Sequence, residues 1–412
     1  MSSKKGIRTT EAVVIGAGTI GCATAYHLAR SGIKTILTDR NTVGSGNTSL
    51  AASLLTRIRG KEPIIPLVKE TYANIEVLND EIEGRLDISD WGSLHIAASA
   101  ESSSELQKLV KIAQTHHIGH DHLAQGEVKK MVPWLAVDEV QQALFIPGDA
   151  HLDAYVLTQG FAAGAKMYGA EIAQYTHVTG LIMEQDKVKG IETGQGPIYA
   201  DYVVDAAGAW SNLISLKAGV ALPMTPVRSN YWITAKDTEL FNADQPIVIL
   251  PDASAYTRPE SGGLLFGLRE SNSIHFDPRN LPADLTGYTF GNPDDQWNIL
   301  MEQGEKLRRF FPMFDQVSIP HYISGVSTYT PDGMFVIGEV PGVKGFLAAT
   351  GCSGAGVAVS GGMGRIIAEM ANGQEPFCDT QPFRPDRFGT IDPFSEEFMV
   401  RCAKARSRKT SG

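Results

Sequence analysis

Residues 11–39 read EAVVIGAGTIGCATAYHLARSGIKTILTD, and this stretch decides the fold. It starts with a short run of apolar and β-branched residues, Ala12–Ile15, which is typical of a buried parallel strand. Small and apolar residues at helical spacing follow from Cys22 to Arg30, and Ser31-Gly32 marks the end of that helix. Lys34–Thr38 then predicts a second strand. The order strand, helix, strand predicts an α/β fold with a Rossmann-like domain.

The turn between the first strand and the helix carries Gly16, Gly18 and Gly21 in the pattern GxGxxG. Gly16 permits the tight turn, Gly18 lets the backbone approach a pyrophosphate, and Gly21 lets the helix pack closely on the strand. The helix N-terminus adds N–H donors and a positive dipole for the phosphates. Asp39, at the end of the second strand, can accept hydrogen bonds from both ribose hydroxyls. Together these features predict a dinucleotide site, but they do not separate NAD from FAD.

The composition is that of a soluble globular protein. The 412 residues are 43% hydrophobic and 20% charged, the mean hydropathy is −0.09, and the length suffices for two or three domains. The formal net charge of −10 argues against nucleic acid as a partner, because a phosphate backbone favours an excess of Lys and Arg. We therefore expect a small-molecule partner.

Cysteine usage and the N-terminus both bear on the compartment. The four scattered cysteines form no CxxC pair and show no metal-ligand spacing, so we expect reduced thiols and no metal site. No apolar stretch of signal-peptide length precedes the first strand, and no run of about 18 apolar residues could span a membrane. The sequence therefore predicts a cytoplasmic enzyme.

The last twelve residues, RCAKARSRKTSG, hold five basic side chains and no acidic one. A patch for nucleic acid or a membrane surface is one interpretation of this charge. We predict instead a frayed, solvated tail, since chain termini with such composition are usually poorly ordered.

Four further stretches, in order along nearly the whole chain, resemble the D-amino-acid oxidase superfamily of flavoproteins. The resemblance is strongest to its sarcosine oxidase, glycine oxidase and dimethylglycine dehydrogenase branch. The four stretches are Asp39-Arg40 with Gly44–Ser49, Pro147–Thr158 (PGDAHLDAYVLT), Tyr202–Ser211 (YVVDAAGAWS), and Thr330–Gly333 with Phe346–Gly356 (FLAATGCSGAG). Their combination is specific to the superfamily rather than to a single substrate.

The resemblance implies FAD as the cofactor. The residues that it assigns to FAD are Gly16, Ala17, Gly18, Thr19, Ile20, Gly21, Asp39, Arg40, Gly46, Asn47, Thr48, Ser49, Thr56, Arg57, Val178, Ala207, Gly208, Trp210, Gly325, Gly351, Ser353, Gly354, Ala355, Gly356 and Val357. The turn at 351–356 opens a second helix, Val357–Ala371, and the resemblance implies that its dipole faces the flavin N1 and C2 carbonyl. Tight helix packing would also require small residues there.

The family fold implies two interleaved domains. A Rossmann-like FAD-binding domain would draw on residues 8–88, 147–218 and 322–378. An α+β substrate domain would draw on residues 89–146 and 219–321, and residues 379–412 would form a C-terminal extension with the basic tail. Alternating strands are predicted in the substrate domain at Arg228–Ile233, Gln245–Leu250, Ala255–Arg258 and Gly263–Arg269. These strands predict an antiparallel sheet able to cover a flavin.

Two helices and a loop are predicted around that sheet. Residues 101–114 have helical period with Ser102 or Ser103 as N-cap, and residues 295–311 form a helix that Pro312 ends. The run HHIGHDH, at 116–122, matches no common structural zinc spacing and is interpreted as a loop.

The stretch LLTRIRG, at 54–60, places Arg57 and Arg59 shortly after the nucleotide motif. By the resemblance, Arg57 lies against the isoalloxazine and Arg59 binds a substrate carboxylate, for which a planar guanidinium is suited. In a strand the two side chains would share one face and serve one site. A surface ion pair, for example with Glu62, is the alternative.

Further candidates for the substrate site lie later in the chain. Tyr256 and Arg258 share one face of a predicted strand, and the family places an active-site tyrosine near this point. Arg269 stands where relatives often carry a histidine. Ser327 and Tyr329 lie just before the C-terminal flavin segment and can point at the flavin. A paired arginine at a sheet edge and ordinary strand packing are the alternatives.

At three positions the sequence departs from the family pattern. Gly325 stands where members with covalent flavin carry the attaching cysteine, which predicts non-covalent FAD. Leu265 replaces the lysine that monomeric sarcosine oxidases use for oxygen activation, which weakens the case for an oxidase and leaves a dehydrogenase open. Ala358 replaces a lysine that binds the substrate carboxylate, so carboxylate binding would fall to arginine alone.

The predicted function is FAD-dependent oxidation of a C–N bond in an amino acid or a secondary or cyclic amine, by hydride transfer to flavin N5 and hydrolysis of the resulting imine. The electron acceptor, O2 or another, and a homo- or hetero-oligomeric state are left open. One alternative is an FAD-dependent 2-hydroxy-acid dehydrogenase, which would need a base such as histidine near the flavin. Another is a non-catalytic or electron-transferring subunit of a hetero-oligomeric amine dehydrogenase.

Overall fold

The structure is a computed structural model that describes residues 7–82, 86–292 and 294–409. Its helices are α1 Thr19–Arg30, α2 Ile65–Glu81, α3 Ala100–Thr115, α4 Gln125–Met131, α5 Ala154–Met167, α6 Ser211–Ser215, α7 Asp295–Arg308, α8 Gly356–Ala371 and α9 Glu396–Ser407. Its strands are β1 Arg8–Thr9, β2 Ala12–Ile15, β3 Thr35–Thr38, β4 Leu54–Leu55, β5 Ser93–Ala97, β6 Asp121–His122, β7 Gln142–Ile146, β8 Ala150–His151, β9 Glu171–Ala173, β10 Val178–Glu184, β11 Lys187–Thr193, β12 Ile198–Tyr199, β13 Tyr202–Asp205, β14 Thr225–Ile233, β15 Ile247–Leu250, β16 Ala255–Glu260, β17 Gly263–Leu268, β18 His321–Tyr329, β19 Val336–Glu339 and β20 Phe346–Thr350.

A six-stranded sheet with the order β19-β20-β13-β2-β3-β9 forms the centre of the nucleotide side of the molecule. All its neighbouring strands are parallel except β19, which is antiparallel to β20. Helices α1, α2, α5 and α8 pack together, and their apolar side chains share one core with Val14 and Leu37. Val13 and Ile36 face the opposite side and pack on β10–β12. Because both faces are covered, the central strands are mostly apolar, and the predicted Rossmann-like fold is confirmed.

An eight-stranded sheet with the order β18-β14-β17-β16-β15-β5-β7-β6 forms the second large unit. The predicted antiparallel strands appear as β14–β17, and β5 joins them as a parallel neighbour of β15. Side chains alternate along β14, so Trp232 stacks on Phe266 in an apolar core while Ser229 and Tyr231 point to the other face.

Strand β18 belongs to this second sheet, although the predicted boundary at residue 322 placed nearly all of it with the FAD-binding domain. It pairs with β14 along its whole length, from Thr225 opposite Tyr329 to Ile233 opposite His321. We therefore move 321–329 to the proposed substrate domain. Strands β19 and β20 stay with the six-stranded sheet.

Three local predictions need correction. The N-cap of α3 is Ser99, which forms a capping box with Ser102, so the helix starts earlier than its apolar pattern suggested. The predicted histidine loop contains the short strand β6, which pairs with β7. Strand β4 ends at Leu55, so the arginines of the LLTRIRG stretch do not lie in a strand.

The predicted frayed tail is wrong for the residues that the structure describes, and its last three residues lie outside them. Helix α9 starts at the N-cap Ser395 and packs on β14 and β18. Its residues Phe398, Cys402 and Ala403 are buried against Tyr329. The sequence prediction weighed the charges and missed this apolar face at helical spacing. Among the described residues, no helix is long and apolar enough to cross a membrane.

Candidate active site

A cavity of about 720 Å³ draws its lining from both large sheets. From the six-stranded sheet come the ends of β2, β3 and β13 with their turns, and from the eight-stranded sheet come β14, β16, the residue after β17, and β18. The N-terminus of α8 and the C-terminal residues around α9 complete the wall. The predicted nucleotide residues and the predicted substrate residues therefore meet in one site.

The nucleotide end of the cavity is shaped by glycines that no other residue can replace. Gly16 has φ +103°, and a Cβ there would lie 2.5 Å from the carbonyl oxygen of Ala206. A Cβ on Gly21 would lie 1.8 Å from the carbonyl oxygen of Gly16. These contacts give the physical reason for the glycines in the motif, because the turn and the start of α1 touch backbone to backbone.

Asp39 lines the cavity at the end of β3 and is fixed by backbone donors. Its Oδ2 accepts the N–H of Ala17 over 2.7 Å, and its Oδ1 accepts the N–H of Asn41 over 2.8 Å. The guanidinium of Arg40 lies 3.9 Å above the ring of Trp210, which also lines the cavity. A carboxylate held by two N–H groups beside an aromatic wall fits the ribose and adenine part of a dinucleotide.

The second glycine turn, which leads into α8, lines the cavity through Gly354 and Gly356. Gly354 has φ +73°, and a Cβ there would lie 2.4 Å from the hydroxyl of Tyr329. Its N–H donates to Oγ of Ser327 over 3.0 Å. The N-cap Ala355 offers no side-chain acceptor to the first turn of α8. This helix N-terminus fits the part of FAD where negative charge develops.

Of the residues assigned to FAD, nineteen line the cavity: Gly16, Gly18, Thr19, Ile20, Gly21, Asp39, Arg40, Gly46, Asn47, Thr48, Val178, Ala207, Gly208, Trp210, Gly325, Gly354, Ala355, Gly356 and Val357. Six do not, namely Ala17, Ser49, Thr56, Arg57, Gly351 and Ser353. Several of the six support the lining indirectly, as Ala17 does through its bond to Asp39.

Gly325 lies against the loop that follows the nucleotide motif. A Cβ there would lie 2.6 Å from Oδ1 of Asn47, which accepts the N–H of Val326 over 2.8 Å. The absence of a side chain at 325 thus lets Asn47 join the two halves of the site.

The two arginines of the LLTRIRG stretch separate, which corrects the prediction that they share one face. Arg59 is 4% exposed, lines the cavity and donates from Nε to the carbonyl of Thr56 over 3.0 Å. Burial lowers the pKa of its guanidinium to about 10. Arg57 lies outside the lining: its guanidinium is 3.8 Å above the ring of Tyr72, and its Nε donates to the carbonyl of Gly148 over 2.7 Å.

The candidate residues on the eight-stranded sheet also fall into two groups, those that line the cavity and one that does not. Tyr256, Arg269, Ser327 and Tyr329 line the cavity. Arg258 does not: its Nε donates to the carbonyl of Ala52 over 2.7 Å, and its Nη1 forms an ion pair with Glu260. The interpretation of a paired arginine therefore describes Arg258, and the other four remain candidates for substrate contact.

Arg269 and Tyr256 are polar residues that the eight-stranded sheet contributes to the lining of the cavity. Arg269 is 7% exposed, and its Nη1 has no hydrogen-bond partner among the described residues. It lies 5.9 Å from the ring of Tyr256, and burial raises the pKa of that tyrosine. Tyr256 therefore presents a protonated hydroxyl, and Arg269 presents a cation with an unused donor.

The sequence prediction missed several lining residues, namely Ser229, Tyr231, Cys352, Arg406 and Lys409. The orientation of Ser229 and Tyr231 towards the cavity can be predicted from the alternation of side chains along β14, once the face of the strand that packs in the apolar core is known. Arg406 continues the face of α9 that begins at Phe398 and passes through Cys402, each four residues apart. That spacing was visible in the sequence, but the surface that it covers was not.

Only one histidine, His177, lines the cavity within the described part of the chain. It lies beside Thr176, whose N–H donates over 2.6 Å to the carbonyl oxygen of Asp39. This position is at the nucleotide end, away from Tyr256 and Arg269. The described residues also contain no group of three His, Cys, Asp or Glu placed to hold a metal ion.

Comparison with known proteins gives consistent matches. A family model described as FAD dependent oxidoreductase (DAO) matches residues 11–370. The chain is 30% identical over 387 residues to dimethylglycine dehydrogenase, mitochondrial, of Homo sapiens, which covers 92% of this chain and 44% of that protein. It is 28% identical over 390 residues to sarcosine dehydrogenase, mitochondrial, of Homo sapiens, which covers 92% of this chain and 41% of that protein. The chain thus spans less than half the length of these relatives.

Among solved structures, L-proline dehydrogenase from P. horikoshii superposes with a TM-score of 0.82 at 25% sequence identity. The match covers 93% of this chain and 98% of that chain. The fold of the whole described unit, and not only its nucleotide-binding part, therefore has a known counterpart.

Proposed function

Because the chain belongs to the DAO family of FAD-dependent oxidoreductases, as its motifs indicated, we propose that it oxidises the C–N bond of an amino acid or of a secondary or cyclic amine that carries a carboxylate. When bound, FAD supplies the acceptor for a hydride from the carbon next to nitrogen. The observation that carries the proposal is the buried Arg269, with an unused donor, in the same cavity as the two glycine turns.

The lining residues at the nucleotide end would hold the cofactor. Gly16, Gly18 and the start of α1 would receive the pyrophosphate, and Asp39 the ribose. Gly354–Gly356 and the start of α8 would contact the flavin edge. We propose non-covalent attachment, since Gly325 offers no thiol and a side chain there would displace Asn47.

Arginine and tyrosine side chains of this chain would orient the substrate. Arg59 and Arg269 line one cavity and would bind the carboxylate, since guanidinium groups suit bidentate pairing. Tyr256 and Tyr231 would shape the space beside it. Binding with the amine uncharged would leave its lone pair to assist hydride departure, so the chain needs to exclude water and orient the substrate rather than supply a base.

The two alternative functions have less support. A 2-hydroxy-acid dehydrogenase would need a base near the reacting carbon, and the histidine in the described lining lies beside Asp39 at the nucleotide end. A non-catalytic subunit would have no need of a buried arginine with an unused donor.

The electron acceptor and the compartment are part of the same proposal. Leu265 is buried in β17 and does not line the cavity, so this strand offers no lysine to activate oxygen. We propose an acceptor other than O2. The four cysteines are free, which fits a reducing compartment such as the cytoplasm.

Anaerobic bleaching of the flavin tests the proposed reaction. The purified holoenzyme is mixed under argon with N-methyl amino acids, cyclic imino acids and 2-hydroxy acids, and the loss of absorbance near 450 nm is followed. We expect bleaching by at least one amine that carries a carboxylate and slow recovery of the colour in air. Bleaching only by a hydroxy acid would contradict the proposed function, and rapid recovery in air would contradict the proposed acceptor.

A further inference from the structure

Three neighbouring strands of the eight-stranded sheet place Tyr231, Gly267 and Tyr256 in one row. Tyr231 on β14 lies opposite Gly267 on β17, and Gly267 lies opposite Tyr256 on β16. Directly opposed residues of antiparallel strands belong to the same face of a sheet, so the row lies on the face where both tyrosines line the cavity. Trp232 and Phe266 pack in the apolar core on the other face. A glycine therefore separates two tyrosines on the cavity side of the sheet.

The ring of Tyr256 covers this glycine. A Cβ on Gly267 would lie 2.1 Å from Cζ, 2.3 Å from Cε1 and 2.4 Å from the hydroxyl oxygen of Tyr256. Gly267 is buried and does not belong to the cavity lining, whereas Tyr231 and Tyr256 do. The outer end of the aromatic ring thus occupies the space that the first side-chain atom of any other residue at 267 would fill. Here the wall of the cavity is the ring and not the backbone of β17.

The backbone of β17 does not itself require a glycine at this position. Gly267 is not among the residues with positive φ, so the strand conformation would accept alanine. Glycine in the interior of a strand is unfavourable, because it loses more conformational entropy than other residues and packs no side chain. The three atoms nearest to an added Cβ all belong to Tyr256. The requirement for glycine therefore comes from the position of that ring.

Fixed neighbours bound the ring along the strands. On one side, Arg258 follows two residues later on the same face of β16 and forms an ion pair with Glu260. On the other side, the N–H of Arg269 donates to the carbonyl of Ser254 over 2.9 Å, and the guanidinium lies 5.9 Å from the centre of the Tyr256 ring. With β17 beneath it and an arginine on each side, a displaced ring moves into the cavity.

We propose that Gly267 is a specificity-determining residue that acts through Tyr256. By leaving room for the ring to lie against β17, it sets the size of the group that a substrate can place against this wall. The inference rests on the proposed function, which puts the substrate in the same cavity, and adds a size limit to it. The preferred amines carry a short aliphatic group on the side that faces Tyr256, and the ring excludes longer groups. Tyr256 makes the contact, and Gly267 is the positioning residue.

Two substitutions should change the cavity in opposite directions. In Gly267→Ala the ring must move by about 1 Å or more, because carbon atoms in contact lie about 3.5–4.0 Å apart. The cavity then becomes narrower. In Tyr256→Ala the ring is absent, and the cavity extends to the backbone of β17. The double variant Gly267→Ala/Tyr256→Ala has no ring for the added methyl group to displace, so it should resemble Tyr256→Ala alone.

Equilibrium binding of straight-chain acids to the holoenzyme measures the size limit without turnover. Acetate, propionate, butyrate, pentanoate and hexanoate are titrated, and Kd is obtained from the shift in the flavin spectrum and from calorimetry. Each buried methylene tightens binding about fourfold, so affinity rises with chain length up to the longest acid that fits. We expect this limit to fall by at least one carbon in Gly267→Ala, with at least a fourfold loss of affinity for the acid at the wild-type limit. It should rise by at least one carbon in Tyr256→Ala.

The other variants separate positioning from general damage to the fold. The double variant should show the limit of Tyr256→Ala. Gly126→Ala in α4, where no atom lies within 4 Å of the added Cβ, is the matched control and should keep the wild-type limit. Flavin content and melting temperature are recorded for every variant. An unchanged limit in Gly267→Ala, or an equal loss of affinity for all five acids, would overturn the proposal. If Gly267→Ala does not retain FAD, an unchanged limit in Tyr256→Ala overturns it instead.

The outcome is separable from that of the proposed function. Opposite shifts of the limit in Gly267→Ala and Tyr256→Ala, without bleaching of the flavin by any amine, would keep the size limit and reject the reaction. Bleaching by an amine, with the same limit in every variant, would keep the reaction and reject the role of Gly267.

Discussion

The buried carboxylate of Asp149 accepts the backbone N–H of Arg57 over 2.6 Å, although the two residues are far apart in the chain. The other carboxylate oxygen accepts the hydroxyl of Ser93 over 2.6 Å. This arrangement fixes the backbone where Arg57 lies over Tyr72 and Arg59 points into the cavity. The two arginines of one short stretch therefore have different roles.

Arg59 and Arg57 should respond differently to removal of their charge. We expect Arg59→Met to raise KM for a carboxylate substrate roughly tenfold or more, because charge-assisted hydrogen bonds to the substrate are lost. Arg57→Met should leave KM within about twofold and lower the melting temperature, since it loses its contacts with Gly148 and Tyr72. Steady-state kinetics and thermal unfolding of both variants measure this. Equal effects on KM would contradict the placement.

Asp205 should make stability depend on pH. Burial raises its pKa to about 7, whereas an unfolded aspartate titrates near 3.9. Between these values the folded state binds more protons than the unfolded state, so the free energy of unfolding falls as pH rises from about 4 to 7. Asp205→Asn should remove this fall. Relative to wild type, the variant should gain about 2–4 kcal/mol between pH 5 and pH 8.

Denaturant unfolding at both pH values, with FAD in excess, measures the difference. Asp149 also has a raised pKa, of about 6, and remains in both proteins, so its contribution cancels. A difference between variant and wild type that is the same at pH 5 and pH 8 would show that Asp205 is not the responsible group.

The first glycine of the nucleotide motif should be intolerant of alanine. Gly16→Ala places a Cβ 2.5 Å from a backbone oxygen at a residue with φ +103°, so the turn must move. We expect at least a tenfold loss of FAD affinity and a lower melting temperature. Gly126→Ala in α4 is the control, because no atom lies within 4 Å of the added Cβ. It should keep the flavin and gain up to about 1 kcal/mol in stability.

FAD should leave the protein on acid precipitation. The supernatant should be yellow, and the protein band in a denaturing gel should show no flavin fluorescence. Gly325→Cys should not create a covalent link, since its Cβ would lie 2.6 Å from Oδ1 of Asn47. We expect this variant to bind less FAD than wild type. Fluorescence that stays with the wild-type band would refute non-covalent attachment.

Local sequence patterns were sufficient to predict the nucleotide-binding half of the molecule. Ala12–Ile15 is a strand with the predicted bounds, and the turn, α1, β3 and Asp39 follow within a few residues of the prediction. The chemistry there is carried by a continuous stretch in which each residue constrains its neighbour. The sequence motif was therefore enough to predict the geometry of the nucleotide-binding turn.

The substrate half depends on contacts between distant segments, which a single sequence does not encode visibly. The spacing of Arg57 and Arg59 fits a strand, but the strand ends at Leu55. The hydrogen bond from the Arg57 N–H to Asp149 holds the backbone beyond that point in a non-strand conformation. Arg406 continues a helical apolar face that the sequence displays, yet the prediction could not show that β14 and β18 would receive it. Arg406 and Lys409 were therefore interpreted as solvated, although both line the cavity.

The position of α9 in the sequence also determines when it is synthesised relative to the other elements of the site. Among the described residues it is the last element of the chain, and a ribosome releases it after β2, β3, β13, β20 and α8. The cofactor side can thus assemble on the nascent chain while the wall that carries Arg406 and Lys409 is still missing. The wall of the cavity that α9 supplies would therefore be added after the cofactor side has been made.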